Sequence, residues 1–200
     1  MASVSTGLGL ILLIVLALLS WIAGSRASRL RYGGSAERLH RKTRAALVPS
    51  AWLLAAGAAE TALAVWDRSR SSDLPADRSA VHLPLLVLPL LFVAFLSLPR
   101  LWTLYRDTAL ASGAPLRPDL RYRAADPAMV TPLQWCGLAC LLNFYFFFVS
   151  PTPLSEADTL IPLLLFAAAA VALFYANRRR RRRVGFAEPD ADELTFAPRH

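Results

Sequence analysis

The chain has 200 residues, 56% of them hydrophobic, and a formal net charge of +8. The hydrophobic residues form long blocks separated by short charged segments, which excludes an ordinary soluble domain with charge spread along every element. The basic residues cluster beside these blocks and are not interleaved with stacking aromatic residues. Their position therefore favours a membrane protein over one that binds nucleic acid.

Five blocks meet or approach the length needed to cross the hydrocarbon core of a bilayer, which is about 30 Å thick and takes about 20 residues of helix. Each must be helical, because a backbone that faces lipid has to satisfy its own hydrogen bonds. In chain order, the predicted spans are residues 7–23, 45–66, 81–98, 129–149 and 159–176. The sequence therefore predicts an all-α fold, a polytopic membrane protein with a bundle of five transmembrane helices over residues 1–176. Residues 177–200 are predicted to form a disordered cytoplasmic tail, arginine-rich and then acidic.

The first block could be mistaken for a signal peptide. No basic residue precedes it, whereas Arg26, Arg29 and Arg31 follow it, and a signal peptide has the opposite arrangement. The segment Ser25-Arg26-Ala27 is also a poor cleavage context. We therefore expect the first span to be retained, with cleavage as the alternative.

The basic residues of the loops alternate from one side to the other. Residues 24–44, 99–127 and 177–200 hold 19 Lys and Arg, against 3 in residues 67–80 and 150–158. Because cytoplasmic loops carry the basic excess, this predicts an external N-terminus and a cytoplasmic C-terminus. The predicted location is the cell (plasma or inner) membrane, and the strong preference for arginine over lysine favours a bacterial source.

Glu60 is the only acidic residue inside a predicted span. Ionisable groups at membrane depth are costly and are functional candidates. Ala56, Gly57 and Ala64 share its helical face, and small residues beside a polar one are typical of a helix–helix contact. Two interpretations follow: a proton or cation site, or a carboxyl group that holds two helices together.

Asn143 occupies a similar position in the fourth span, on a face with Cys136, Ala139 and Cys140. This stripe predicts helix packing with an interhelical hydrogen bond. Asn143 and Glu60 both lie about 21 Å above the inner boundary of the membrane, so we predict that they meet or lie in facing stripes. The cysteine spacing is not that of thiol oxidoreductases, and we predict no metal and no cofactor.

Two basic segments beside the spans predict contacts with anionic lipid headgroups, worth about 1 kcal/mol per basic residue near the surface. The candidate residues are Arg38, Arg41, Lys42 and Arg44 in the first loop and Arg178, Arg179 and Arg180 in the tail. The alternative is that these segments only set the topology.

No catalytic, nucleotide-binding or metal-binding motif is found in the sequence. We therefore predict a non-catalytic accessory, assembly or scaffold subunit, in contact with the bilayer and with a membrane-protein partner or a second copy of itself. The alternative is a small oligomeric transporter or channel that uses Glu60 as a proton or cation site. A membrane-embedded enzyme acting on lipid is disfavoured, because such chemistry needs several convergent polar groups.

Overall fold

A computed structural model describes residues 2–32, 35–70, 76–111, 113–149 and 156–185. Every regular element within these ranges is helical, so the predicted all-α class is confirmed. In chain order, the elements are α1 (Ala2–Ser28), a 3-10 turn (Arg29–Tyr32), α2 (Ala36–Arg70), α3 (Ala76–Phe92), a π-turn (Val93–Ser97), α4 (Leu98–Leu110), α5 (Pro118–Ala124), α6 (Pro127–Phe144), a second π-turn (Tyr145–Val149) and α7 (Glu156–Gly185).

Five stretches of helix are long and apolar enough to cross a membrane, as predicted. They are Gly7–Ser28, Ala36–Trp66, Leu83–Leu110, Pro118–Phe147 and Ala157–Arg182. Several extend beyond the predicted spans, because hydrophobicity marks only the apolar part of a helix. In particular, α7 continues to Gly185, so the first part of the predicted tail is helical. The acidic remainder, residues 186–200, lies outside the described residues.

Helix α1 packs along both α2 and α6, and α3 also packs against both of these helices. Helix α4 packs on α2, whereas α7 packs on α6 with a small contact to α5.

At the α1–α6 contact the Ser20 hydroxyl donates to the Leu133 carbonyl. A Cβ atom at Gly137, one turn further along α6, would lie 2.9 Å from Ser20 Oγ. Glycine at this position therefore lets the two backbones approach closely.

The prolines of the third span predict an irregular helix, and the irregularity is the π-turn between α3 and α4. The Leu98 N–H donates to the Val93 carbonyl, five residues earlier. Pro99 follows at the start of α4, and the wider turn accommodates a ring that would clash with the carbonyl four residues before it. Ser97 is fully buried in this turn, and its hydroxyl donates to the Met129 carbonyl of α6 at 3.1 Å.

The described parts of the predicted cytoplasmic segments lie together at one end of the bundle, called here the basic end. Helix α5 contacts both the 3-10 turn and α7. His40, near the start of α2, places Nδ1 3.2 Å from both the Tyr105 carbonyl and Thr108 Oγ1 of α4, and its ring stacks on that of Tyr105. The first loop, the third loop and the end of α7 therefore share one side of the protein, as the alternating charge requires.

The orientation of this end is testable with a fused reporter enzyme that is active only outside the cytoplasm. Fusions placed after Arg70 and Ser155 are expected to be active, whereas fusions after Arg117 and His200 are expected to be inactive. The reason is that the arginine-rich segments resist translocation. Activity of the fusion after His200 would contradict a cytoplasmic C-terminus.

Candidate functional site

Glu60 lies inside the bundle on α2, with 8% of its surface exposed. Its Oε2 atom is buried and has no hydrogen-bond partner in the described part of the chain. One turn earlier, Gly57 packs against Leu90 of α3, since a Cβ atom at Gly57 would lie 3.0 Å from Leu90 Cγ. The small-residue face beside Glu60 is therefore a helix–helix contact, as predicted.

Asn143 is 2% exposed, and its Nδ2 donates to the Ala139 carbonyl of its own helix at 2.8 Å. The predicted approach of Asn143 to Glu60, directly or in facing stripes, stays a prediction. Helices α1 and α3 each pack against both α2, which carries Glu60, and α6, which carries Asn143. Glu60 and Asn143 are both buried within the bundle.

Several other polar side chains of α2 are satisfied by the helix itself. The hydroxyls of Thr43, Ser50 and Thr61 each donate to the carbonyl four residues earlier, at 2.7–2.8 Å. The Glu60 carboxyl differs from them because one of its oxygens is buried and unsatisfied. A carboxyl at membrane depth needs a proton, a cation or a donor from another molecule. Among the described residues, no group of three or more His, Cys, Asp or Glu could hold a metal ion.

Asn177 forms a polar contact that the sequence analysis missed. It is 1% exposed, and its Nδ2 donates to Thr131 Oγ1 at 3.1 Å and to Gln134 Oε1 at 2.8 Å. It was assigned to the tail because it directly follows the predicted end of the fifth span. Continuing the helical pattern into the arginine run would have placed it on α7, in reach of α6.

The seven arginine and lysine residues predicted to contact lipid lie at the start of α2 and the end of α7. Arg41 is 3.8 Å from Glu37, and Lys42 Nζ donates to the Arg29 carbonyl at 3.3 Å. The remaining five side chains are exposed: Arg38, Arg44, Arg178, Arg179 and Arg180. Arg178 also lines a groove at the basic end, whereas Arg179 and Arg180 do not.

The groove brings together residues from helices that are distant in sequence. Arg100, Asp126, Arg181 and Arg182 join Arg178 there. Their charge is evident from the sequence, but nothing in the sequence indicates that these residues lie together. Each lies within a few residues of a predicted span end, which was the only signal available.

The described bundle thus offers two polar sites, the buried carboxyl of Glu60 and the arginine-lined groove. In comparisons with known proteins, no family model, no curated protein and no solved structure matches this chain. A function for the chain therefore has to follow from the chemistry of these two sites and from the packing of the helices.

Proposed function

We propose that this chain is a non-catalytic subunit of a bacterial cell membrane, acting as an accessory, assembly or scaffold protein with its basic end in the cytoplasm. The observation that supports this role is the use made of its buried polar side chains. Ser20 and Ser97 each donate to a backbone carbonyl of α6, and Asn177 ties α7 to α6. Side chains that fix the relative positions of helices in this way are not free to converge on a substrate.

The exposed apolar surface of α7 supports the proposed contact with a partner. Only 6% of the most apolar 18-residue stretch of α7 is buried, compared with 50% of the corresponding stretch in the span that contains α6. Large side chains such as Leu160, Leu164 and Val171 are more than half exposed. A transmembrane helix with so little cover from its own chain presents a surface for a membrane-protein partner, for a second copy or for lipid.

The second candidate is a small oligomeric transporter or channel, and the observation that favours it is the unsatisfied Oε2 of Glu60. A buried carboxyl that exchanges a proton or a cation needs an oxygen atom that no other group of the protein occupies by a hydrogen bond. A single acid in one five-helix bundle makes a poor pathway, so this candidate requires several copies around a shared axis.

The Glu60→Gln variant distinguishes the two candidates. Glutamine keeps hydrogen-bonding groups at the position but cannot carry a transferable proton. In liposomes that hold a pH-sensitive dye and an imposed proton or cation gradient, we expect the wild type and Glu60→Gln to dissipate the gradient no faster than protein-free liposomes. We also expect Glu60→Gln to accumulate in membranes as well as the wild type and better than Glu60→Leu.

Glu37→Gln is the matched control, because Glu37 is an exposed carboxylate at the basic end. Flux through the wild type that Glu37→Gln retains and a folded Glu60→Gln variant loses would establish the transporter instead. The scaffold proposal also expects the chain to migrate in a stoichiometric complex after mild solubilisation of its native membrane. A chain that migrates as an isolated monomer would contradict it.

A further inference from the structure

A groove of about 940 Å³ opens at the basic end between the end of α3, the first turns of α6 and the end of α7. It is called here the arginine groove. Its size is that of a pocket for a small organic ligand. Its charged residues come from the ends of predicted spans, whereas its apolar residues come from within them. The groove therefore crosses the level at which headgroups give way to hydrocarbon.

The charge of the arginine groove is strongly positive. Four arginines line it, Arg100, Arg178, Arg181 and Arg182, together with the single carboxylate of Asp126. Asp126 accepts from Arg100 Nη1 at 2.7 Å and lies 3.7 Å from Arg181 Nη1. Arg178 and Arg182 form no ion pair within the described part of the chain. The groove thus carries an excess of guanidinium groups, which suit phosphate oxygens.

Two donors in the groove lining are buried without a hydrogen-bond partner in the described chain, Arg181 Nε and Trp135 Nε1. The guanidinium of Arg181 is held in place over the Tyr122 ring, 4.4 Å from its centroid. Buried polar groups are nearly always satisfied, so orphaned donors in a cavity indicate an acceptor that comes from outside the chain.

The deeper part of the arginine groove is apolar. Phe92 and Trp135 meet edge to face with their ring centroids 5.3 Å apart, and Phe174 of α7 also lines this part. Trp135 lies two turns along α6 from Ala128, which places it about 10 Å further along the helix axis. A ligand that fills the whole groove therefore needs an anionic end and an apolar end.

We propose that the arginine groove is a discrete site for one anionic phospholipid. Its phosphate lies among Arg178, Arg181 and Arg182. An ester carbonyl of the lipid accepts from Trp135 Nε1, and an acyl chain runs along Phe92 and Phe174. Arg100 is held by Asp126 and shapes the rim of the groove. This site differs from the diffuse attraction of any basic surface to anionic lipid, because it combines charge, orphaned donors and an apolar wall in one cavity. The proposal of this lipid site does not depend on whether the chain is a scaffold.

The test uses the full-length protein in detergent, titrated with phosphatidylglycerol or with phosphatidylcholine of the same acyl chains, and reads the bound lipids by native mass spectrometry. We expect one phosphatidylglycerol per chain to bind in preference to phosphatidylcholine. The double variant Arg178→Gln/Arg182→Gln is expected to bind phosphatidylglycerol roughly thirtyfold more weakly. The matched control Arg179→Gln/Arg180→Gln removes the same charge from the same helix outside the groove and is expected to bind like the wild type.

Ala128→Trp provides a variant that leaves the charge unchanged, since Ala128 lines the groove and a large ring there obstructs it. We expect it to weaken the phosphatidylglycerol adduct as well. An unfolding temperature in detergent equal to that of the wild type verifies that a variant is folded. Equal losses in the two arginine pairs would reduce the effect to diffuse charge and overturn the proposal.

Two further experiments distinguish the phospholipid from other possible occupants of the groove. Glycerol phosphate at millimolar concentration is expected not to displace the lipid, and displacement would assign the site to a soluble phosphate compound. Neutralising the acidic tail in the full chain, by Glu188→Gln, Asp190→Asn, Asp192→Asn and Glu193→Gln, is expected to leave lipid binding unchanged. A tenfold gain on neutralisation would identify the tail as the occupant and overturn the lipid site.

Discussion

Gly57→Leu is expected to lower the unfolding temperature of the bundle by roughly 5–10 °C. A Cβ atom at Gly57 would lie 2.7 Å from Leu90 Cδ1 and 3.0 Å from Leu90 Cγ. Leu90 is only 7% exposed, and its side chain already occupies the space that the new substituent would take. The larger side chain must therefore push α2 and α3 apart beside the buried carboxyl of Glu60.

The chain carries its own probe for this measurement. Cys136 and Cys140 are its only cysteines, and both are free and buried. A maleimide dye that fluoresces on reaction with a thiol will report heat unfolding without any added label. Gly9→Leu is the matched control, because no atom lies within 4 Å of a Cβ atom at Gly9.

A second variant separates a local clash from a general intolerance of substitution. Gly57→Ala is expected to destabilise less than Gly57→Leu, and adding Leu90→Ala is expected to restore part of the loss, since the shortened side chain leaves room for the new methyl group. Equal shifts for Gly57→Leu and Gly9→Leu would mean that α2 and α3 do not approach closely at this point.

Much of the architecture could be predicted from the sequence because the signals are local. An apolar run of about 20 residues marks a membrane-spanning helix without reference to the rest of the chain. The small residues beside Glu60 likewise marked a helix contact, and Gly57 indeed packs on α3. Hydrophobicity also locates the depth of a side chain along a helix, which is why Glu60 and Asn143 were expected at one level.

The failures come from features that depend on how helices are arranged around one another. A sequence gives the depth of Glu60 and Asn143 but not which helices are neighbours, so the approach of these two residues stays a prediction. The π-turn that buries Ser97 was signalled only as a proline irregularity. The arginine groove could not be predicted from the sequence, because Arg100 and Arg178 lie far apart in the chain and line one groove only after the helices pack together.

Asn177→Leu is expected to weaken the attachment of α7 to the bundle by about 1–2 kcal/mol, which corresponds to a fall of roughly 3–6 °C in unfolding temperature. Leucine has a similar volume but removes the donor that reaches both Thr131 and Gln134. The effect should be pronounced because so little of the apolar surface of α7 is buried, so few other contacts hold this helix in place.

A double-mutant cycle measures how much of this loss belongs to the hydrogen bond between Asn177 and Gln134. If that bond carries the effect, Asn177→Leu combined with Gln134→Leu costs little more than Asn177→Leu alone, since the leucine pair leaves no buried amide unpaired. Tyr175→Leu, on the exposed side of the same helix, serves as the control and should leave the unfolding temperature nearly unchanged. Strictly additive losses for Asn177 and Gln134 would show that the two side chains act independently and that apolar packing alone positions α7.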